Sequence, residues 1–184
     1  FSFYTHSLYL RGIINHKSIK MRKALTLIFL IFFISVSGQE DKKAFQDLKQ
    51  LEGKWIGTLN LSNGESKPIN LEYSIRSNGS ALVEESNEGG TEMMTIINLQ
   101  NDKILSTHYC GAKNRPVAEL KSNKNGIIKF ITNHERSGLN MNKESFVGSW
   151  EFNIMPSNKD KFTYKYTSIG PFSFEAKAEM KRVK

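Results

Sequence analysis

The feature that most constrains the fold is a series of short segments in which apolar and polar side chains alternate. Ten such segments follow residue 53, and almost every one ends at a Gly, Asn, Asp or Pro. Alternation with a period of two is typical of β-strands, because successive side chains point to opposite faces of the sheet. The predicted strands cover residues 53–61, 68–76, 81–86, 92–99, 103–110, 117–121, 127–132, 146–155, 161–169 and 172–180.

The last three predicted strands carry the clearest apolar rows, which we expect to face one common interior. The rows are Phe146, Gly148, Trp150, Phe152 and Ile154; Phe162, Tyr164 and Tyr166; and Phe172, Phe174, Ala176, Ala178 and Met180. Sequential antiparallel strands joined by tight turns avoid exposed sheet edges by closing into a barrel. We therefore predict an all-β protein, an up-and-down antiparallel barrel of about ten strands. A short N-terminal helix is predicted within residues 41–53, with Asp41 as a candidate N-cap.

The segment before this domain resembles an export signal. Residues 21–38 contain a basic start, an apolar run at residues 24–34, and small residues ending at Gly38, which together predict a signal peptide. The apolar run is shorter than the ~20 residues of a membrane-spanning helix, so we expect no stable membrane span after cleavage. Residues 1–20 contain no methionine and are expected to be upstream or disordered sequence. The predicted domain is residues 39–184, located in the periplasm or secreted.

Charge and cysteine content narrow the class of protein. Five of the 26 Lys and Arg residues lie in residues 1–38, which contain no Asp or Glu. The remainder has 21 basic and 18 acidic residues, a net charge of +3, so nucleic acid is not an expected partner. Cys110 is the only cysteine, so no internal disulfide forms and the fold depends on its apolar core. Nothing in the sequence predicts an oligomeric state.

Three stretches of the chain resemble a known group of proteins. "LEGKWIGTL" carries Gly53, Trp55 and Gly57 as a Gly-x-Trp-x-Gly motif, and "NGSALVEE" and "EMMTIINLQNDKILSTHYCGAKNRP" follow. Together they resemble an uncharacterised family of exported bacterial lipocalin-like proteins with Gly-x-Trp and Thr-His-Tyr-Cys motifs, over about residues 45–135. More distantly, they are similar to nitrobindin-like haem barrels. The resemblance implies a calycin-type barrel with a ligand cavity, in which the tryptophan closes one end.

The stretch "THYCGAKNRP", residues 107–116, places a histidine, a tyrosine and the cysteine at consecutive positions and is a candidate functional site. On a strand His108 and Cys110 share one face, and Tyr109 takes the other. The alternation alone does not decide which face is inward. Converging polar groups in an apolar pocket fix the orientation of a small ligand. The candidate ligand-binding residues are His108, Tyr109, Cys110, Arg115, Trp150, Phe162, Tyr164 and Phe174.

The function favoured by these patterns is binding of a small apolar or amphipathic molecule in the barrel. We assign no catalytic residue and no metal ligand. An enzyme that uses His108 and Cys110 is less favoured, because two residues on one strand face lie ~6–7 Å apart, too far for direct proton transfer.

Three further alternatives stay open. Haem could be held by His108 or His134, and a metal site would need glutamates from neighbouring strands, at Glu84, Glu85 or Glu92. A barrel filled by its own side chains would instead have a structural or partner-binding role. In that case His108 is a hydrogen-bonded core residue beside an inert thiol.

Overall fold

A computed structural model describes residues 38–155 and 157–184 of the chain. The predictions for the upstream segment and for most of the signal peptide concern residues that lie outside this part. The compact unit considered below is Glu40–Lys184. Within the described residues, no helix combines the length and the apolar character needed to cross a membrane.

The secondary structure is dominated by strands. Helix α1 covers residues 38–49, and a short helix α2 covers His134–Ser137. The strands are β1 (Gly53–Leu61), β2 (Ser66–Arg76), β3 (Ala81–Glu88), β4 (Thr91–Gln100), β5 (Lys103–Tyr109), β6 (Val117–Lys124), β7 (Ile127–Thr132), β8 (Phe146–Ile154), β9 (Lys161–Ile169) and β10 (Phe174–Arg182).

The ten strands form one closed barrel in which each strand pairs with its neighbours in sequence and β10 returns to pair with β1. Every pairing is antiparallel. The predicted all-β, up-and-down barrel with a short N-terminal helix is therefore confirmed. Closure leaves no free sheet edge among the described strands, which removes the usual route to edge-to-edge aggregation.

The turn between β3 and β4 is shorter than the sequence predicted, because β3 continues to Glu88 and not only to residue 86. Only Gly89 and Gly90 form this turn, with φ angles of 60° and 97°. Two consecutive residues with positive φ suit the two-residue hairpin turns whose twist matches the flanking strands. Glu88 therefore belongs to β3 and not to the predicted turn. Its side chain lies inside the barrel, where it is 4% exposed.

Helix α1 lies against one end of the barrel through an apolar face. That face consists of Ala44, Phe45 and Leu48, and Leu51 in the following turn extends it; all four are buried. Asp41 is not an N-cap, because the helix already includes residues 38–40. Its carboxylate instead accepts a hydrogen bond from the backbone N–H of Ile104 at 2.9 Å, and so ties the helix to β5.

The Gly-x-Trp-x-Gly motif lies at this same end. Trp55 is buried and its indole Nε1 donates to the Leu51 carbonyl at 2.7 Å. Arg182, near the end of β10, stacks on the indole ring at 4.2 Å. A Cβ at Gly57 would come within 2.9 Å of the Glu179 carbonyl oxygen, so only glycine allows β1 and β10 to approach this closely. This end of the barrel is consequently closed.

The opposite, open end is formed by the β1–β2, β3–β4, β5–β6, β7–β8 and β9–β10 connections. The register between β8 and β9 shifts between Val147 and Ser149, so Phe146 and Val147 are both buried. The prediction that Phe172 begins the last inward row is wrong. Strand β10 starts at Phe174, and Phe172 lies in the preceding turn with 79% of its surface exposed.

Candidate ligand cavity

A cavity of about 210 Å³ lies inside the barrel at the end away from helix α1. Its walls are side chains from seven strands, β2 to β5 and β8 to β10, completed by residues of the loops at the open end. The lining residues are Lys67, Glu88, Thr91, Met93, His108, Cys110, Gly111, Ala112, Ser145, Phe146, Val147, Trp150, Tyr164, Tyr166, Ser168, Phe172 and Phe174. The half of the barrel nearer helix α1 is packed by the apolar core.

A chain of three polar side chains crosses the neighbouring strands β3, β4 and β5 beside the cavity. Glu84 is opposite Thr95, and Thr95 is opposite His108, in the strand register. The Thr95 hydroxyl lies 3.0 Å from Oε1 of Glu84 and 2.9 Å from Nδ1 of His108. All three side chains are buried.

The direction of these hydrogen bonds follows from the chemistry of the groups. An ionised carboxylate only accepts, so the single hydroxyl hydrogen of Thr95 goes to Glu84. The hydroxyl oxygen then accepts from Nδ1–H of His108. With Glu84 ionised, this assignment leaves Nε2 of His108 without a proton, and that atom is buried with no hydrogen-bond partner among the described residues. Burial lowers the pKa of His108 to about 4, so the imidazole is neutral at neutral pH.

Glu84 is the most deeply buried carboxyl group of the site. Burial raises its pKa to about 7, although hydrogen bonds from Tyr73 and Thr95 oppose this shift. The Tyr73 hydroxyl donates to Oε2 of Glu84 at 2.5 Å. Two donors thus stabilise the carboxylate, as a buried charge requires. From the sequence, Glu84 is one of three candidate metal ligands with Glu85 and Glu92, and the structure places Glu85 on the exposed outer face.

A second carboxylate lies nearer the open end. Oε2 of Glu88 accepts a hydrogen bond from the Tyr166 hydroxyl at 2.8 Å and lies 3.6 Å from Nζ of Lys67. Because Tyr166 is on β9 and Glu88 is on β3, this bond crosses the barrel interior. Burial raises the pKa of Glu88, while Tyr166 and Lys67 lower it.

The remaining wall is aromatic. The rings of His108 and Trp150 meet edge to face with 5.4 Å between centroids. Tyr166 contacts Tyr164 at 6.1 Å and Phe174 at 6.0 Å in the same manner. Such edge-to-face pairs hold ring positions and present flat apolar surfaces to a guest.

The structure brings together five of the eight residues that the sequence suggested for the site. His108, Cys110, Trp150, Tyr164 and Phe174 all line the cavity. The other three lie elsewhere. Tyr109 is 43% exposed on the outer face of β5, as the alternation requires once His108 is inward. Arg115 is exposed in the β5–β6 loop, and Phe162 packs 4.7 Å from Trp55 in the closed half.

Cys110 lies at the end of β5, where its thiol accepts a long hydrogen bond from the Ala112 N–H at 3.5 Å. Burial raises the pKa of this thiol, with a further contribution from Glu88. The thiolate is the nucleophilic form, so the environment holds Cys110 in its unreactive state at neutral pH. His108 directs Nδ1 to Thr95 and not to this thiol.

The two carboxylates and their partners were the part of the site that sequence reasoning missed. The signal was present, because Leu82, Glu84, Ser86 and Glu88 form a period-two row that starts with an apolar residue. Extending that row up to Gly89 would have placed both glutamates inside. Charged residues are seldom buried without a partner, and those partners, such as Tyr166, come from distant strands.

Neither haem nor a protein-ligated metal ion fits these residues. The cavity that His108 lines measures about 210 Å³, which is smaller than the ~300 Å³ at which pockets for drug-sized molecules begin. Haem is larger than such molecules. In the described part of the chain, no group of three or more His, Cys, Asp or Glu side chains is placed to hold a metal ion.

Comparisons with known proteins give the fold but no family. No family model and no curated protein matches the chain. A crystal structure of a protein of unknown function from the DUF3598 family of Nostoc punctiforme matches with a TM-score of 0.50 and 10% identity. The match covers 73% of this chain and 48% of that one, so the chain spans about half the length of the cyanobacterial protein.

Designed barrels are also similar to this chain, at lower scores. A de novo designed fluorescence-activating β-barrel has a TM-score of 0.35 at 12% identity, covering 73% of this chain and 95% of the design. A redesigned barrel, mFAP1, solved bound to DFHBI, has a TM-score of 0.38 at 12% identity, covering 73% and 96%. The similarity to the Nostoc structure, at 10% identity, extends to the fold alone.

Proposed function

We propose that this protein is an exported, lipocalin-like barrel that binds a small apolar or amphipathic molecule in the cavity at its open end. The observation that carries this proposal is the buried Nε2 of His108, which has no hydrogen-bond partner in the described part of the chain and belongs to a residue that lines an aromatic cavity. A buried polar atom without a partner costs about 1–3 kcal/mol, so a guest that bonds to it gains affinity and orientation together.

The size and chemistry of the walls support a compact guest. An apolar cavity of about 150 Å³ in another protein accommodates benzene, so about 210 Å³ suits one ring or two fused rings. Contact with Trp150, Tyr164 and Phe174 would contribute about 25 cal/mol for each Å² of apolar surface removed from water. Catalysis has weaker support, because the Cys110 thiol is held protonated.

A ring-shaped probe and a pair of matched variants test the proposal. Ser168→Leu places a larger side chain into the cavity from β9, whereas Thr167→Leu adds the same side chain on the outer face of that strand. We expect saturable one-to-one binding of indole to the wild type by isothermal titration calorimetry. Binding should weaken at least about tenfold in Ser168→Leu and stay within about twofold in Thr167→Leu.

Circular dichroism checks that both variants fold. Absence of binding of any bicyclic probe to the wild type, up to the solubility limit of the probe, would contradict the proposed function. Equal binding to wild type and Ser168→Leu would show that indole binds elsewhere, and would contradict it too.

Export is a separate part of the proposal and has a separate test. Residues 21–38 supply the basic, apolar and small-residue regions of a signal peptide. When the full chain is expressed in a bacterium with a periplasm, we expect it in the periplasmic or secreted fraction. Its mass should equal that of the chain starting at Gln39. An unprocessed chain in the cytoplasm would contradict export. Native mass spectrometry of the same sample shows whether a small molecule co-purifies.

A further inference from the structure

Some polar groups of the cavity already use their hydrogen-bond donors within the protein, and others keep a free acceptor. This difference determines which ligands the cavity can bind. The hydroxyl of Tyr166 donates to Glu88, and the hydroxyl of Ser168 donates to the Phe172 carbonyl at 3.1 Å. Both of these donors are therefore engaged within the protein. The Ser145 hydroxyl oxygen already accepts from the Phe172 N–H at 2.8 Å.

The Ser145 and Thr91 hydroxyls, which donate no hydrogen bond to the described residues, lie near the opening, whereas the buried lining atom without a partner is an acceptor. Nε2 of His108 has no partner, and Glu88 carries a second carboxylate oxygen besides the one bonded to Tyr166. Lys67 is the one cation among the lining residues, and it lies near Glu88 at the opening, with 36% of its side chain exposed. Two buried carboxylates, Glu84 and Glu88, face the interior. Glu88 lies nearer the opening, so above pH 7, where Glu84 is ionised, the deep part of the cavity offers the acceptor Nε2 of His108 close to the negative charge of Glu84.

We infer that the natural ligand is a compact, ring-sized molecule that carries a hydrogen-bond donor, a hydroxyl or an N–H, and no negative charge. The donor bonds to Nε2 of His108, and the apolar body packs between Trp150, Phe146 and Tyr164. Carboxylates such as fatty acids are excluded by charge, because no cation of the lining reaches the deep end. This inference rests on the proposed function and specifies the class of its ligand.

The ligand class depends on which ring nitrogen of His108 carries the proton. Thr95 acts as a positioning residue, because its hydroxyl fixes the imidazole as the Nδ1–H tautomer and leaves Nε2 as an acceptor. A valine at position 95 would keep the shape of the side chain and remove this constraint. The ring could then turn either nitrogen toward the cavity as a donor or an acceptor.

Pairs of probes with the same shape test the donor directly. Indole and benzofuran differ in one ring atom, an N–H donor against an oxygen that only accepts. Calorimetry at about pH 8 keeps Glu84 ionised, since this pH is above its pKa of about 7. We expect indole to bind at least about tenfold more tightly than benzofuran, and benzyl alcohol to bind where benzoate does not.

Variants assign this preference to His108. In His108→Phe the ring remains and the acceptor is lost, so indole and benzofuran should bind within about threefold of each other. Thr95→Val should reduce the preference as well, and it serves if His108→Phe does not fold. Nitrogen-15 spectra of the histidine rings give an independent reading, in which Nε2 of His108 is unprotonated and shifts on addition of indole but not of benzofuran.

The outcomes separate this inference from the function on which it rests. Equal affinity of the wild type for indole and benzofuran would overturn the donor requirement and leave small-molecule binding intact. Tight binding of benzoate would overturn the charge requirement. A preference for indole that persists unchanged in His108→Phe would overturn the role of His108. Failure of every probe would instead contradict the proposed function.

Discussion

Glu84 and His108 lie at the two ends of one hydrogen-bond chain, and burial shifts their pKa values in opposite directions. Burial disfavours the charged form of each group, so the pKa of the acid rises to about 7 and that of the base falls to about 4. A raised acid pKa means that the folded state holds its proton more tightly than the unfolded state. Glu84 therefore contributes stability below pH 4.5, the ordinary value, and loses that contribution as the pH rises through 7.

Replacement of Glu84 by Gln tests this dependence of stability on pH. The contribution of His108 has the opposite sign and is lost as the pH falls from 6.5 toward 4, but it is common to both proteins and cancels in their difference. We expect the unfolding free energy of the wild type, minus that of Glu84→Gln, to fall by roughly 3 kcal/mol between about pH 4.5 and pH 8.

Urea unfolding followed by circular dichroism at several pH values measures this difference. Glu85→Gln, on the outer face of the same strand, is the matched control and should show no such pH dependence. A constant difference between wild type and Glu84→Gln would show that Glu84 titrates alike in the folded and unfolded chains.

At the scale of secondary structure, β1 depends on a residue without a side chain. The backbone of Gly57 is not in a left-handed conformation, so the reason for glycine is packing and not φ. A Cβ there would lie 2.8 Å from Sδ of Met180 and 2.9 Å from the Glu179 carbonyl oxygen. The Met180 side chain can move, but the backbone oxygen is fixed by the β1–β10 pairing.

We expect Gly57→Ala to lower the unfolding free energy by about 1–3 kcal/mol, the usual cost of overpacking a well-filled interior. Thr58→Ala, at the next and exposed position of β1, should change it by less than about 0.5 kcal/mol. Denaturant unfolding of both variants measures the effect. Equal stabilities for Gly57→Ala and the wild type would show that β10 moves away without loss.

At the scale of the whole molecule, the barrel has a closed end and an open end with different tasks. Arg182 joins the elements of the closed end. Its guanidinium stacks on Trp55 and donates to the carbonyls of Glu52 at 2.6 Å and Gln50 at 2.9 Å. These bonds connect the last strand to the segment that follows helix α1. These contacts therefore stabilise the closed end, away from the cavity.

Arg182→Lys separates the two ends experimentally. Lysine lacks the planar fork that reaches two carbonyls at once, so we expect a loss of about 1–3 kcal/mol in unfolding free energy. Indole affinity should stay within about twofold of the wild type, because the cavity is at the other end. Lys181→Ala, exposed beside it on β10, is the control. A parallel loss of indole affinity would contradict the independence of the two ends.

The sequence by itself determined the elements and their order. Period-two alternation predicted ten strands, and the structure places every one, because a strand must bury one face whatever its neighbours are. The same alternation predicted that His108 and Tyr109 take opposite faces. The motif around Trp55 indicated which end of β1 lies near the helix.

Only the tertiary structure decided which inward residues reach the cavity. Phe162 and Tyr164 share a face of β9, yet one packs against Trp55 in the closed half and the other lines the open half. The depth of a side chain along the barrel depends on strand register and not on its own alternation. Burial of Glu88 likewise required Tyr166, a partner 78 positions away in the chain, which no local pattern contains.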